Sequence, residues 1–356
     1  MNEKLVVESY RAIRPSYVLL TEKIQSLLTE LLNLREIRFH LIDGRAKTVD
    51  SFQEKIRRPS KSYSDPLTEL TDLSGVRVIA YYHDDIEKIA DVLSSEFQVV
   101  EEVSHQASEY DPEEFGYISL HYIVKISQDR AELAEWNAYK DLLAEVQIRT
   151  VLQHSWASIS HALQYKNEAD VPKSLRRKLN RLAGLFELAD EQFVDIRLES
   201  DTVKKKVSEQ IKAGNHQIPI DPISLREFLN GWSKLGEIVS FMRSVGFSFD
   251  EPPYEPYWDE RSDELDYLGV TSEHCHRVGL ETIEELESAL SYDPRKYLQS
   301  LFEFDKGDWY VSESFTLYLL LIRAKIEHFS VGDLLSSGWG ESTAEKVISL
   351  AQDDEN

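Results

Sequence analysis

Cysteine is nearly absent from this 356-residue chain: Cys275 stands alone, which excludes an internal disulfide and fits a reducing compartment. Long apolar runs are missing too. No stretch approaches the roughly 18 consecutive apolar residues of a membrane span, and the opening Met1-Asn2-Glu3-Lys4 lacks the basic-then-apolar layout of a signal peptide. A cytoplasmic protein without a membrane partner is expected. Positive charge is scarce: 40 Lys and Arg stand against 64 Asp and Glu, a net of −24, which argues against broad non-specific binding to nucleic acid. The deficit is uneven. Residues 251–356 hold 8 basic against 24 acidic side chains, a net of −16, so less than a third of the chain carries two-thirds of the charge. Basic residues gather instead at Arg35, Arg38, Arg45, Lys47, Lys55, Arg57, Arg58 and Lys61, and again from Lys173 to Arg181. A locally cationic cleft on an acidic protein follows.

The length suits two domains better than one. Leu19, Leu20, Ile24, Leu27, Leu28, Leu31 and Leu32 recur at helical spacing, which predicts an amphipathic helix over 16–37. Arg38 to Arg45 alternates like a strand and ends at a glycine, and a second helix is expected through Phe52 and Ile56 up to Pro59. Residues 76–82 are β-branched and aromatic and predict a buried strand; 97–103, 117–125 and 142–149 are further strand candidates, with a helix over 84–96. Strands interspersed with helices point to a sheet covered by helices. Helical patterning returns from Thr150 to about Lys212 and stops at Ala213-Gly-Asn-His-Gln-Ile-Pro-Ile-Asp-Pro222, whose prolines and glycine mark the expected boundary between domains 1–213 and 222–356. Helical segments are expected beyond it at 224–245, 281–291, 295–304, 313–329 and 342–351.

Four segments carry chemistry. Asp72-Leu-Ser-Gly-Val-Arg77 sets a carboxylate at the mouth of a strand, and Ala144-Glu-Val-Gln-Ile-Arg-Thr150 alternates so that Glu145, Gln147 and Arg149 share one face. If those strands are neighbours, Asp72 and Glu145 form a hard-oxygen pair suited to Mg²⁺; taken singly, each reads first as a solvated or salt-bridged residue. Gly44-Arg-Ala-Lys47, with Ser51 and Lys55 at the start of a helix, makes a polyphosphate cradle or an ordinary solvated basic face. Phe115-Gly-Tyr-Ile-Ser-Leu-His-Tyr122 sets Tyr117, Ser119 and His121 on one side, a surface for a stacked base or a half-buried strand with satisfied polar groups. His154 and His161 are two helical turns apart beside Trp156, with no third ligand at metal spacing, so they read as packing histidines.

Taken together and in this order, the Gly-Arg-x-Lys run with its downstream Ser and Lys, Asp-Leu-x-Gly-Val-Arg, Gly-Tyr-x-Ser-x-His, Glu-Val-Gln-Ile-Arg-Thr and His-x-Trp-Ala-x-x-x-His-x-Leu-x-Tyr-Lys resemble the synthetase domain of the RelA/SpoT family over about residues 35–170. The resemblance implies an α+β fold, a nucleotidyltransferase-like mixed sheet flanked by helices, followed here by a mainly helical C-terminal domain. It implies transfer of the β,γ-pyrophosphate of ATP to a ribose 3′-hydroxyl, most simply of GDP or GTP to make (p)ppGpp. By the same likeness Asp72 and Glu145 are the magnesium carboxylates, and Arg45 and Arg77 embrace the adenine of ATP. Lys47, Ser51 and Lys55 take phosphates, and Tyr117 stacks on the acceptor guanine. Ser119, His121, Gln147, Arg149, Gln164 and Lys166 complete the substrate cleft.

Departures fall on the acceptor side. No Lys or Arg occurs from Ala90 through Val124, and Glu109-Tyr-Asp-Pro-Glu-Glu114 is acidic, a poor setting for a nucleoside polyphosphate. Ser160 and Gln164 replace the family's usual glutamate and asparagine. These keep open a toxin that pyrophosphorylates a tRNA 3′ end or makes adenosine alarmones, with the C-terminal domain as a fused antitoxin or a sensor of a protein trigger; a catalytically silent nucleotide-binding regulator is a further alternative. The hydrolase half of the long bifunctional members is not expected, and His83-Asp84 reads as a surface turn. An oligomer is left open. In the C-terminal third, Leu268 to Leu280 resembles a helix–hairpin–helix faintly, His274-Cys275-His276 is a poor metal set because adjacent side chains diverge, and Tyr254-Glu-Pro-Tyr-Trp258 is an aromatic, proline-braced loop.

Overall fold

The computed structural model describes residues 3–58, 62–104, 120–163, 173–249, 267–304 and 309–355, and the chain divides into two compact units, Met1–Leu198 and Glu199–Asn356. The first begins with α1 (Glu3–Leu34), which starts well before the apolar run that announced it and contains Pro15. Its buried face extends N-terminally through Val7, Tyr10 and Tyr17. Tyrosines do the packing there: the Tyr10 ring stacks on Phe52 with centroids 4.3 Å apart, which a search for aliphatic spacing passes over.

Strand β1 (Phe39–Ala46) leads to α2 (Val49–Ile56), the short α3 (Pro66–Glu69), β2 (Ser74–Ala80), α4 (Asp85–Glu96), β3 (Phe97–Ser104), β4 (Leu120–Ile126), α5 (Gln128–Ala131), β5 (Ala144–Thr150), α6 (Val151–Leu163) and α7 (Lys173–Lys212). The strands form one mixed sheet in the order β1-β2-β5-β4-β3. Only β2 and β5 run parallel; the remaining neighbours are antiparallel. The mixed sheet flanked by helices expected from the sequence is the one observed.

The strands' two faces differ because side chains alternate. Ile42, Ala46, Val76, Val78, Tyr122, Val124, Val146 and Ile148 are buried in one core with residues of α1 and α4. The opposite face presents Asp43, Arg45, Arg77, Glu145, Gln147 and Arg149. Strand β1 does not end at its glycine but continues to Ala46. Gly44 sits where β1 lies close against α1: a Cβ there would lie 2.8 Å from Thr21 Cγ2 and 3.0 Å from Gln25 Oε1. Gln25 Nε2 donating to the Ile42 carbonyl at 2.8 Å stitches α1 to β1, and a 2.8 Å bond between the Thr21 and Ser74 hydroxyls stitches it to β2. The glycine is thus a packing requirement.

The second unit takes in the last part of α7, whose Val207 and Ile211 join a core built from α8 (Pro222–Gly231), α9 (Leu235–Val245), α10 (Leu268–Arg277), α11 (Ile283–Ala289), α12 (Arg295–Phe304), α13 (Glu313–Ala324), α14 (Val331–Ser336) and α15 (Glu341–Glu355). Helix α7 stops at Lys212, and Gly214, with φ of 77°, turns the chain toward Asp221, which caps α8. The segment expected as one helix over 224–245 is two, because the chain leaves helical geometry at Trp232. The expected helix over 313–329 ends at Ala324. The run His274-Cys275-His276 lies on α10, where its side chains diverge: His274 bonds the Tyr318 hydroxyl at 2.9 Å, Cys275 is fully buried, and His276 reaches the Ile220 carbonyl at 2.9 Å. Among the described residues no helix is long and apolar enough to cross a membrane.

Candidate active site

The polar face of the sheet is assembled by register. In the parallel pair, Gly75 stands opposite Glu145 and Arg77 opposite Gln147; across β5, Gln147 stands opposite His121; at the edge, Asp43 stands opposite Arg77 and Arg45 opposite Gly75. One row, Asp43-Arg77-Gln147-His121, therefore crosses four strands and a second, Arg45-Gly75-Glu145, crosses three, so segments far apart in sequence become one surface.

Hydrogen bonds order that surface. Arg77 Nε donates to Gln147 Oε1 at 3.4 Å, and Gln147 Nε2 donates to Glu145 Oε1 at 3.0 Å. His121 Nδ1 lies 2.8 Å from the same Glu145 oxygen. Burial pushes the Glu145 carboxyl upward and the nearby Asp72 charge adds to this, but the bonds from His121 and Gln147 outweigh both and hold it below its ordinary value. Glu145 therefore stays ionised at neutral pH despite a side chain only 16% exposed.

Asp72 lies just before β2. Its Oδ2 receives Lys47 Nζ at 2.8 Å and Lys55 Nζ at 2.6 Å, whereas Oδ1 is buried with no hydrogen-bond partner. Burial works against ionisation of Asp72, but the two ammoniums overcome it and lower its pKa. Lys47 is positioned through its backbone: its N–H donates to the Leu73 carbonyl at 2.9 Å, and its own carbonyl accepts from Tyr10 Oη at 2.7 Å and Arg14 Nε at 2.9 Å. Lys55 stands in the last turn of α2, whose first turn is capped by Thr48 accepting from the Ser51 N–H at 3.1 Å; the Thr48 hydroxyl in turn donates to Ser51 Oγ.

Further along the face the surface turns cationic. Arg149 is held below its ordinary pKa by burial and by Arg77, and its buried Nε has no partner. His154, at the start of α6, is pushed down by burial and then by Arg77 and Arg149. Its Nδ1 is buried without a hydrogen bond.

Of the residues expected from the sequence, Arg45, Lys47, Ser51, Lys55, Asp72, Arg77, His121, Glu145, Gln147 and Arg149 fall on or beside this one surface. Tyr117, Ser119, Gln164 and Lys166 lie outside the described residues, as do the side chains of His161, Lys173 and Arg176. Sequence reasoning passed over Asp43, Tyr10 and Arg14. Alternation along β1 puts Asp43 on the face of Arg45 and would have revealed it. Nothing local ties Tyr10 or Arg14 to Lys47, more than 30 residues away.

The carboxylates, lysines and arginines gathered here invite comparison with known proteins. GTP pyrophosphokinase YjbM of Bacillus subtilis (strain 168) is 30% identical over 178 residues, covering 49% of this chain and 80% of that protein. The family described as "Region found in RelA / SpoT proteins" matches residues 44–170, the span from β1 past α6. The chain belongs to the RelA/SpoT family. A second relative, GTP pyrophosphokinase YwaC of the same organism, is 29% identical over 162 residues, 44% of this chain and 73% of its own. Among solved structures, small alarmone synthetase 1 from Bacillus subtilis aligns at 28% identity over 55% of this chain and 98% of that one, with a TM-score of 0.46. The RelA/SpoT match ends before the second unit begins, so that unit's helices fall outside it.

Proposed function

We propose that this RelA/SpoT chain is an ATP-dependent pyrophosphokinase that moves the β,γ-pyrophosphate of ATP to the 3′-hydroxyl of GDP or GTP. The bond from the β-phosphorus to its bridging oxygen toward the α-phosphate breaks, a bond from the ribose 3′-oxygen to the β-phosphorus forms, and AMP leaves. The observation that carries this reading is Asp72, ionised between two lysines, with a buried, unpartnered oxygen beside a second ionised carboxylate, Glu145. Two hard-oxygen groups fit Mg²⁺, which commonly takes one or two carboxylates together with substrate phosphates. Asp72 and Glu145 would hold the ion, and its chemistry when bound is to neutralise charge on the group in flight.

The chain's own residues supply alignment and countercharge, the main requirements of this transfer. Lys47 and Lys55 stand beside Asp72, where the polyphosphate of ATP would meet them. Arg45 and Arg77 project from adjacent strands on one face, and planar guanidiniums suit stacking on a base. Arg149, a half-buried cation whose Nε is buried and unpartnered, supplies a donor for an anion. Glu145, tied to His121 and Gln147, is positioned to draw on the attacking hydroxyl. The guanine acceptor follows the relatives, both named GTP pyrophosphokinases.

A second acceptor has its own support. No Lys or Arg lies between Ala90 and Val124, while Arg177, Lys178 and Arg181 are exposed near the start of α7, a stripe suited to the phosphates of a tRNA acceptor stem. Incubation with γ-labelled ATP and Mg²⁺ against GDP, GTP, AMP, ADP, ATP and deacylated tRNA separates the readings. The expected products are labelled ppGpp and pppGpp, lost in Asp72→Asn. Label in tRNA instead, abolished by reversing charge at Arg177 and Arg181, favours the second acceptor. No transfer to any acceptor, with ATP still bound, overturns both in favour of a silent regulator.

A further inference from the structure

The two lysines in the site are not waiting in open solvent: both are spent on one oxygen of Asp72, at 2.8 Å from Lys47 and 2.6 Å from Lys55. We infer that Lys47 and Lys55 are internal counter-ions that exclude a divalent cation from the ligand-free site, so that metal and nucleotide enter together. The inference rests on Asp72 and Glu145 being the ion's ligands, and it adds an order and a coupling to that assignment.

The charges decide the matter. Asp72 and Glu145 contribute two negative charges; Lys47 and Lys55 bring two positive ones, both within hydrogen-bonding reach of Asp72, while Glu145 is held by His121 and Gln147. Arg77 and Arg149 add positive charge on the same face. A free divalent ion approaching such a cluster meets no net attraction, and one of the two Asp72 oxygens is already taken by both ammoniums. At a few ångströms the interaction between unit charges outweighs the entropy of ordering one side chain. A polyphosphate changes the balance, because it brings several negative charges that the lysines can follow. The backbone is built for that exchange. Lys47 is pinned by Tyr10, Arg14 and Leu73 through main-chain bonds, and Lys55 is fixed in α2. Only the flexible four-carbon stems need to swing for the ammoniums to pass from carboxylate to phosphate. The buried, unpartnered Oδ1 of Asp72 shows that the lysines leave half of this carboxylate unsatisfied. That is a standing cost which an ion arriving with its nucleotide would remove.

Such coupling is reciprocal: whatever factor the nucleotide adds to metal affinity, the metal adds to nucleotide affinity. It also makes opposite predictions for one substitution. Removing a lysine should improve binding of the ion alone and impair binding of the nucleotide alone, whereas a lysine that merely braced Asp72 would impair both.

The test uses the full chain. Mn²⁺ binding without nucleotide is read from the electron paramagnetic resonance of the free ion, and binding of α,β-methylene ATP by equilibrium dialysis with EDTA or with Mn²⁺. For Lys55→Met and, independently, Lys47→Met, Mn²⁺ alone should bind at least about tenfold more tightly than to the unsubstituted protein, a conservative figure for loss of one adjacent unit charge. The analogue in EDTA should bind at least about tenfold more weakly, from loss of the same charge. In the unsubstituted protein each ligand should tighten the other. Circular dichroism checks each variant's fold, and either variant suffices. Mn²⁺ affinity within about twofold of the unsubstituted protein in the folded variants, too small to reflect a removed charge, overturns the inference. Tight Mn²⁺ binding by the unsubstituted, nucleotide-free protein overturns it too. The metal assignment fails separately: if Lys55→Met tightens Mn²⁺ binding and adding Asp72→Asn does not reverse it, the ion sits elsewhere.

Discussion

Gly75 of β2 stands directly opposite Glu145 of β5 in the parallel pairing. The glycine leaves the polar face empty beside the carboxylate, and its backbone has no positive φ to demand glycine for conformational reasons. A Cβ at this position would meet only the Arg45 carbonyl, at an ordinary 3.6 Å. Gly75→Ala should therefore fold normally. Gly75→Val should also fold but fill the space before Glu145, lowering pyrophosphate transfer by about 100-fold, the scale of a roughly 1 Å misplacement in a positioned site. Activity assays beside thermal melts check this; equal losses of stability and activity would count against it.

Gly44 should behave in the opposite way. Its Cβ would collide with Thr21 and Gln25 on α1, so Gly44→Ala should destabilise the first unit by about 1–3 kcal/mol, the usual cost of overpacking. Urea unfolding measures the loss, and any fall in activity should recover at low temperature or in a stabilising osmolyte. A stable but inactive Gly44→Ala protein would return this glycine to the phosphate cradle.

Neutralising the carboxylates tests the site directly. Asp72→Asn and Glu145→Gln should each retain the far-ultraviolet dichroism of the parent while lowering transfer by roughly three orders of magnitude or more, because countercharge in the transition state is the principal protein contribution. Full activity in either variant would remove that residue from the mechanism.

The Asp72 ion pairs also predict a pH dependence of stability. Its folded pKa lies below the ordinary 3.8. Its contribution is thus complete above about 3.8 and lost as pH falls through the folded value. Comparing the unfolding free energy of the parent with that of Asp72→Asn isolates this group from other carboxylates. The difference should be level from pH 7 down to about 5, then shrink below about 4 as the unfolded-state carboxyl protonates. A difference that stayed constant to pH 2.5 would mean that the two lysines do not stabilise the ionised form.

Cys275 offers a probe of the second unit alone. It is fully buried on α10, and burial pushes its thiol up to about 12, so the reactive thiolate is almost absent at neutral pH. In native protein a disulfide reagent should react only through opening of this unit, with a rate that rises steeply with urea. Prompt stoichiometric labelling without denaturant would contradict this packing.

Much of the site is legible in the sequence. Alternation along β5 alone put Glu145, Gln147 and Arg149 on one face, and the order of motifs carried the family. The strands themselves declared their positions through β-branched and aromatic content. Local pattern ran out at α1, where Tyr10 and Tyr17 pack in place of aliphatic residues, and at the glycine of Gly44-Arg-Ala-Lys47, which serves helix packing and looked from sequence like part of a phosphate loop.

The amino-acid sequence by itself determined which side chains share a face, because helical and strand periods are properties of a few consecutive residues. It also determined the supply of carboxylates and cations. Only the tertiary structure decided that β2 and β5 are neighbours in register, with Gly75 against Glu145, and that Lys47 and Lys55 converge on a single oxygen of Asp72. Those relations join residues separated by between 17 and 70 positions, and no local period can encode them. They are set when the sheet's apolar face closes on α1 and α4, and that closure brings charges together whose mutual neutralisation is felt only at a few ångströms.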